Sequence, residues 1–262
     1  MKPIKMIVTD LDNTLLRSDK TISDFTAEVF ARCREKGIIT AFATARSQQA
    51  AARFIRQIEP DIFIGFGGAL VLHKDKVIHK TGIPKEITRG LVKRFMSEPE
   101  IEAVYLSNEN RALTNDDEIF TSHSDWMHYE RTDFSAVPDE VFLKISVACA
   151  NPDVMARIAD DYPLFEVLGF SGEGIFMFSN KTASKWVGVK AAGGYLRIPA
   201  DEIAAFGDDY NDIGMLMGCG VGVAVENAIP QAKAAADYIC GSCEEDGVAH
   251  WLAARSAAGF RI

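Results

Sequence analysis

No stretch of this chain approaches the roughly 18 consecutive apolar residues of a membrane-spanning helix. A membrane span is therefore not expected. At the start, Met1, Lys2 and Pro3 lead into an apolar run that is interrupted by Lys5 and ends at Asp10, too short and too soon charged for a signal peptide. Positive charge is scarce as well: 28 Lys and Arg stand against 37 Asp and Glu, a formal net charge of −9. Nucleic acids and anionic membrane surfaces select clustered cations, so neither is an expected partner. A small anionic ligand stays open, because a divalent metal can supply the missing positive charge locally. Cysteine is sparse, odd in number and scattered: Cys33, Cys149, Cys219, Cys240 and Cys243. That usage fits reduced thiols better than a disulfide framework, and a cytoplasmic location is the expectation. Internal repeats and low-complexity tracts are lacking too.

What is present is an ordinary globular composition, 48% hydrophobic and 25% charged over 262 residues. At about 150 residues per domain the length points to between one and two domains. Residues 4–9 form a short β-rich apolar run that ends abruptly in polar residues, as a strand buried on both faces would. A helix is expected over 24–36, with Phe25, Val29, Phe30 and Cys33 on its apolar face and Gly37 as its stop. A strand over 38–43, a helix over 48–58 and a strand over 62–64 continue a βαβα rhythm, the signature of a parallel sheet with helices on its faces.

The middle of the chain reads differently. A helix near 85–96, strands near 101–106 and 141–150, and strand-like runs at 164–170 and 174–178 make strands outweigh crossovers. Asn151-Pro152-Asp153 has the form of an N-cap followed by proline at the first helical position. From Ala183 the βα rhythm returns, with strands near 203–206 and 221–225. The expected fold class is α/β: a doubly wound, Rossmann-like parallel-sheet core from residues 1–81 and 181–262, with an α+β domain inserted at 82–180.

Chemistry gathers where core strands end, and in an open α/β sheet ligands bind outside those carboxyl ends. The first strand delivers Asp10-Leu11-Asp12-Asn13-Thr14. The second delivers Thr44-Ala45-Arg46, and the strand ending at Phe206 delivers Gly207-Asp208-Asp209-Tyr210-Asn211-Asp212. Folding on this pattern brings several carboxylates into one cleft. Carboxylates that close repel and raise one another's pKa, so a structure that gathers them normally binds a cation too.

Asp-x-Asp-x-Thr at Asp10 to Thr14, a strand-terminal Thr44, a lysine at Lys185 and the run from Gly207 to Asp212 stand in this order along the whole chain. In this the sequence resembles the haloacid dehalogenase superfamily, specifically its Cof-type subgroup with an inserted type IIB α/β cap. The resemblance implies a Mg2+-dependent phosphatase in which Asp10 is the nucleophile that is transiently phosphorylated, and Asp12 the acid and base that serves leaving group and water. It implies Mg2+ held by the carboxylates of Asp10 and Asp208 and the backbone carbonyl of Asp12, with Asp212 supporting that shell through a bound water or Lys185. Thr44 and nearby backbone N–H groups would take phosphoryl oxygens, and Lys185 would neutralise both phosphoryl group and Asp10. Lys181 competes for that last role, but the spacing to Gly207 favours Lys185. By the same resemblance Asn211 would be a further phosphate contact, with Ala45 and Arg46 flanking the phosphate. Arg46 is also placed to pair with a neighbouring carboxylate instead of guiding substrate.

The sequence departs from the subgroup twice. Gly67-Gly68-Ala69 replaces the usual Asn-Gly-Ala, and Thr44-Ala45-Arg46 the usual Thr-Gly-Arg, which would strain Ala45 if that position needs a positive φ. The expected partner is a small phosphorylated metabolite, a sugar or cofactor phosphate. A phosphomutase of the same fold and a catalytically idle metabolite-binding protein are the alternatives. Cys240-Gly241-Ser242-Cys243 lacks the second pair that a zinc site needs. His123 and His128, five apart, suit a surface or substrate contact better than metal ligation.

Overall fold

Met6–Thr9, four buried residues in a row, form β1. The lack of in/out alternation is what a strand covered on both faces requires. In the computed structural model, which describes residues 3–116, 129–170 and 174–257, this strand is central. After a tight turn over Leu11–Leu15, α1 (Asp24–Glu35) starts at Ser23, whose hydroxyl accepts the Thr26 N–H at 3.0 Å. That bond satisfies one of the free donors at the helix start. Val29, Phe30 and Cys33 are its buried stripe, and Gly37 follows at φ 78°.

β2 (Ile39–Ala43), α2 (Ala52–Ile58) and β3 (Ile62–Gly65) continue the pattern. α2 begins four residues later than its apolar spacing suggests. β4 (Leu70–His73) and β5 (Lys76–Lys80) then add an antiparallel hairpin.

α3 (Lys85–Phe95), β6 (Ile101–Ser107), β7 (Ala112–Thr114), β8 (Tyr129–Arg131), β9 (Lys144–Cys149), α4 (Pro152–Asp161), β10 (Phe165–Phe170) and β11 (Ile175–Asn180) follow. Next come α5 (Lys185–Leu196), β12 (Ile203–Gly207), α6 (Ile213–Gly218), β13 (Val221–Ala224), α7 (Pro230–Ala235), β14 (Tyr238–Ile239) and α8 (Gly247–Ala257). None of these helices is long and apolar enough to cross a membrane among the described residues.

The chain divides into two units. One comprises Met1–Arg46, Ala52–Lys80 and Ser184–Ile262, the other Ser47–Ala51 and Thr81–Ala183. The first unit holds a sheet of order β14-β13-β12-β1-β2-β3-β4-β5, parallel from β14 through β3. Successive strands run outward from β1 to one side and from β12 to the other, so the winding reverses between these two. This is the doubly wound α/β class that the βα rhythm predicts, and the crevice at such a reversal is where ligands bind.

The second unit is a sheet of order β10-β11-β9-β6-β7-β8, antiparallel except for the β7–β8 pair. Val104, Leu106, Ile145 and Val147 alternate along β6 and β9 and share a core with Leu91, Val92 and Phe95 of α3 and Val154, Met155 and Ile158 of α4. Asn151 caps α4 by accepting the Asp153 N–H, with proline at the start of the helix, as the tripeptide suggests. The apolar run from 141 is a strand only from Lys144, and Phe142 makes an isolated bridge to Ile83.

Candidate active site

β1 and β12 run side by side, with Thr9 opposite Phe206. Their next residues enter the same crevice. Asp10 donates its N–H to the Phe206 carbonyl at 3.0 Å, and the Thr9 hydroxyl donates to the Asp10 carbonyl at 2.8 Å. The backbone under the Asp10 carboxylate is thus tied on both sides.

Lys185 opens α5, which is capped by the Ser184 hydroxyl on the Val187 N–H. Its ammonium, 2% exposed, donates to Asp10 Oδ1 at 2.6 Å and to Asp212 Oδ1 at 2.7 Å. Burial alone would lower the Lys185 pKa, but the charges of Asp10 and Asp212 outweigh it and raise the pKa. The second Asp212 oxygen accepts the N–H groups of Asp208 at 3.0 Å and Asp209 at 3.1 Å. Asp212 therefore joins the turn after β12 to the lysine. Gly207 makes this approach feasible, because a Cβ there would lie 2.4 Å from that of Asp212.

One carboxylate oxygen each from Asp10, Asp208 and Asp212 lies within 4.8 Å of the others, and all three residues are buried. Burial pushes the Asp10 pKa well up against the opposing charge of Lys185, with Asp212, Asp208 and Asp12 adding repulsion. Burial also pushes Asp208 up to about 6, although the Thr14 hydroxyl donates to its Oδ1 at 2.7 Å. Among the described residues, three buried acids thus gather around one ammonium, which is bonded to Asp10 and Asp212. Hard oxygen donors with a deficit of positive charge suit a Mg2+ ion, so the residues present fit that metal.

Asp12 points elsewhere. Its Oδ2 accepts Arg46 Nε at 2.8 Å, and its Oδ1 accepts Arg46 Nη2 at 2.8 Å and Lys20 Nζ at 3.1 Å. These cations overcome burial and hold the Asp12 carboxyl down at about 2. Arg46 thus pairs with a carboxylate, one of the two alternatives its position leaves open. Lys20 carries no motif, and its presence beside Asp12 is not legible in the sequence.

Thr44 is buried at the end of β2, where its hydroxyl oxygen accepts the Arg46 N–H at 3.1 Å. Asn211 Oδ1 is buried with no hydrogen-bond partner among the described residues. Ala45 is not among the residues with positive φ, so the strain considered for it does not arise. The left-handed backbone lies instead at Phe66, Gly67 and Gly68, with φ of 52°, 67° and 105°. Cys240 and Cys243 are buried at the end of β14 and in the turn after it, and burial raises both thiol pKa values. His123 and His128 lie outside the described residues.

Gly68 is where the loop after β3 meets the start of α5. A Cβ there would lie 2.0 Å from the Ser184 carbonyl oxygen and 2.9 Å from the Lys185 nitrogen. Gly68→Ala is expected to cost about 3 kcal/mol or more, since the clash is with backbone and φ is left-handed. Urea unfolding checks this, and an unchanged midpoint would show that the contact has room to relax.

The fold and the crevice define a hydrolase built on a doubly wound sheet, with its acids at the point where the winding reverses. The chain belongs to the haloacid dehalogenase-like hydrolases, whose family model matches residues 7–252, and it is a phosphatase of that family. The 5-amino-6-(5-phospho-D-ribitylamino)uracil phosphatase YitU of Bacillus subtilis (strain 168) is 26% identical over 266 residues, covering 94% of this chain and 96% of that one. An HMP-PP phosphatase of Cronobacter sakazakii is 25% identical over 256 residues, covering 93% and 92%. Among solved structures, the subclass IIB sugar phosphatase BT4131 superposes with a TM-score of 0.84 at 23% identity, covering 98% of this chain and 99% of that one. At that identity the last likeness speaks for the fold.

Proposed function

We propose that this protein hydrolyses small phosphorylated metabolites, sugar or cofactor phosphates, with Mg2+ and through a phosphorylated Asp10, and that it works in the cytoplasm. The observation that carries the reading is the buried Asp10–Lys185–Asp212 chain beside Asp208. A carboxylate suits the nucleophile's role because it is ionised near neutral pH and its acyl phosphate is reactive enough to hydrolyse. Lys185 opposes the effect of burial on Asp10, favouring its ionised form, and faces the negative charge of the transferring group. Asp212 fixes the lysine, and the Thr44 hydroxyl and Asn211 are the further phosphate contacts.

Asp12 protonates the leaving oxygen and afterwards takes a proton from the attacking water. The resting carboxylate, held at about 2, takes up a proton from solvent when substrate binds, and that is the proton it passes to the leaving oxygen. An arriving phosphate dianion would raise its proton affinity, as any nearby like charge does. Mg2+ would be held by Asp10, Asp208 and the Asp12 carbonyl, and when bound it supplies positive charge to the phosphoryl oxygens. The second unit acts as a cap that admits small esters, which agrees with the compounds in the relatives' names.

EDTA should silence the enzyme and magnesium should restore it. Asp208 must be ionised to bind metal, and its carboxyl is pushed up to about 6. With Asp10 pushed up as well, magnesium affinity should fall by at least about tenfold per pH unit below pH 6. Isothermal titration across this range measures the effect. A flat affinity profile would remove Asp208 from the metal site, and zinc in place of magnesium would reopen the cysteine pair. Phosphate release across a metabolite panel, without a bisphosphate activator, tests the activity and separates it from a mutase. Phosphopeptides turned over as well as the best metabolite would contradict the substrate class.

A further inference from the structure

The Asp12 carboxylate is held on both oxygens by two cations that are themselves built into place. We propose that Arg46 and Lys20 form a clamp that orients Asp12 for its proton transfers, Lys20 being a positioning residue that no motif marks. The proposal rests on the reading of Asp12 as acid and base.

Arg46 approaches as a fork, one nitrogen to each oxygen, both at 2.8 Å. Such a planar pair fixes the plane of the carboxylate as well as its position. The arginine is braced from three sides. Its N–H donates to the Thr44 hydroxyl at 3.1 Å, its carbonyl accepts the Phe66 N–H at 3.0 Å, and its guanidinium lies 5.4 Å from the Phe54 ring centroid.

Lys20 adds a third donor, to Oδ1. Its backbone is left-handed, φ 61°, a conformation that is unfavourable outside glycine and persists where the surroundings enforce it. Those surroundings are present: the Lys20 N–H donates to the Arg17 carbonyl at 2.9 Å, and its carbonyl accepts Arg53 Nη2 at 3.2 Å.

On the other side of Asp12 the chain is pinned as well. Asn13 is left-handed at φ 57°, and its carbonyl accepts Asn227 Nδ2 at 2.7 Å. With the backbone fixed, the side-chain torsions of Asp12 are what the clamp controls. Oδ1 accepts two cationic donors and Oδ2 one. This leaves the Oδ2 edge as the one able to meet a substrate oxygen.

The test compares Arg46→Lys, Lys20→Met, Lys20→Arg and Asp12→Asn on p-nitrophenyl phosphate, whose leaving group needs no proton, and on an alkyl phosphate, whose leaving group does. Arg46→Lys keeps the charge and loses the fork. It is expected to slow single-turnover release of the alcohol from the alkyl ester about 100-fold, the scale of a misplaced catalytic group, with a much smaller loss in phenolate release from the aryl ester. KM should hardly move. Lys20→Met should shift the release rate the same way by about fivefold, the scale of one exposed ion pair, and Lys20→Arg should recover it. Lys20 is partly exposed, so its variants report even if Arg46→Lys folds poorly.

If both variants raise KM with kcat unchanged, these residues bind substrate and the clamp is wrong. Equal losses in the two single-turnover release rates would mean general structural damage, and would also overturn it. Asp12→Asn separates the two layers. If it shows no leaving-group dependence, the reading of Asp12 itself fails and the clamp with it. If it shows the dependence and the clamp variants do not, only the clamp fails.

Discussion

Replacing Asp10 by asparagine should lower kcat by about 10^4-fold or more, the scale seen when a covalent nucleophile is removed, and should leave the metal-free protein at least as stable as before. The two effects have one cause. Asp10 is 5% exposed, and burial and the neighbouring acids work against its charge. Among the described residues, Lys185 is the cation that favours that charge. An amide has nearly the same shape and its oxygen can still accept from Lys185, so the fold loses little while one of three mutually repelling acids becomes neutral. Catalysis, however, loses the attacking oxygen and a metal ligand together. A thermal scan in EDTA beside a phosphate-release assay checks both halves. A variant that retains a tenth of the activity would remove Asp10 from the chemistry. One that unfolds many degrees earlier would make its role structural.

Lys185→Met should be damaging in both respects. The ammonium bridges Asp10 and Asp212 at 2.6 and 2.7 Å, and no other cation touches those carboxylates among the described residues. Methionine fills much of the volume but leaves buried carboxylates unpaired, a change that costs about 3 to 5 kcal/mol in comparable sites. Removing a preorganised charge that faces the phosphoryl group should lower kcat by about 10^3-fold. Lys185→Arg should not rescue, because a lysine 2% exposed leaves no room for the broader guanidinium. This contrasts with Lys20, where arginine is expected to substitute. Chemical denaturation in EDTA and steady-state kinetics with magnesium read the two effects separately. Near-normal stability in Lys185→Met would show that the acids are held neutral and that the lysine is not their counter-ion.

Much of the core was legible because its signals are local. Strands buried on both faces appear as short apolar runs, and each run that ends in acids or Thr44 does so where β1, β2 or β12 ends. The hairpin of β4 and β5 was not anticipated: Lys76–Lys80 is largely exposed, so its residues carry no burial pattern. α2 starts late because residues 48–51 have helical spacing but lie in turns. The bonds that make the site work either join residues far apart in sequence or close irregular turns and loops. Thr14 reaching Asp208, Asp212 reaching back to the Asp208 and Asp209 N–H groups, and Lys20 reaching Asp12 across a loop leave no periodic trace. Motifs name the residues that resemble a family. They do not say which of them hold the others in place.

The central claim is that phosphate passes through the Asp10 carboxylate. The direct measurement is to quench the enzyme with acid during turnover, reduce it with borohydride and sequence the resulting peptides by mass spectrometry. An acyl phosphate on an aspartate is reduced to homoserine, whereas a free carboxylate is not. Asp12→Asn should accumulate the intermediate when fed an aryl phosphate, because water activation is slowed. Homoserine at position 10, dependent on substrate and magnesium, is the predicted result. Turnover with no modification at Asp10, or with the label on Asp12 or Asp208, would contradict the account.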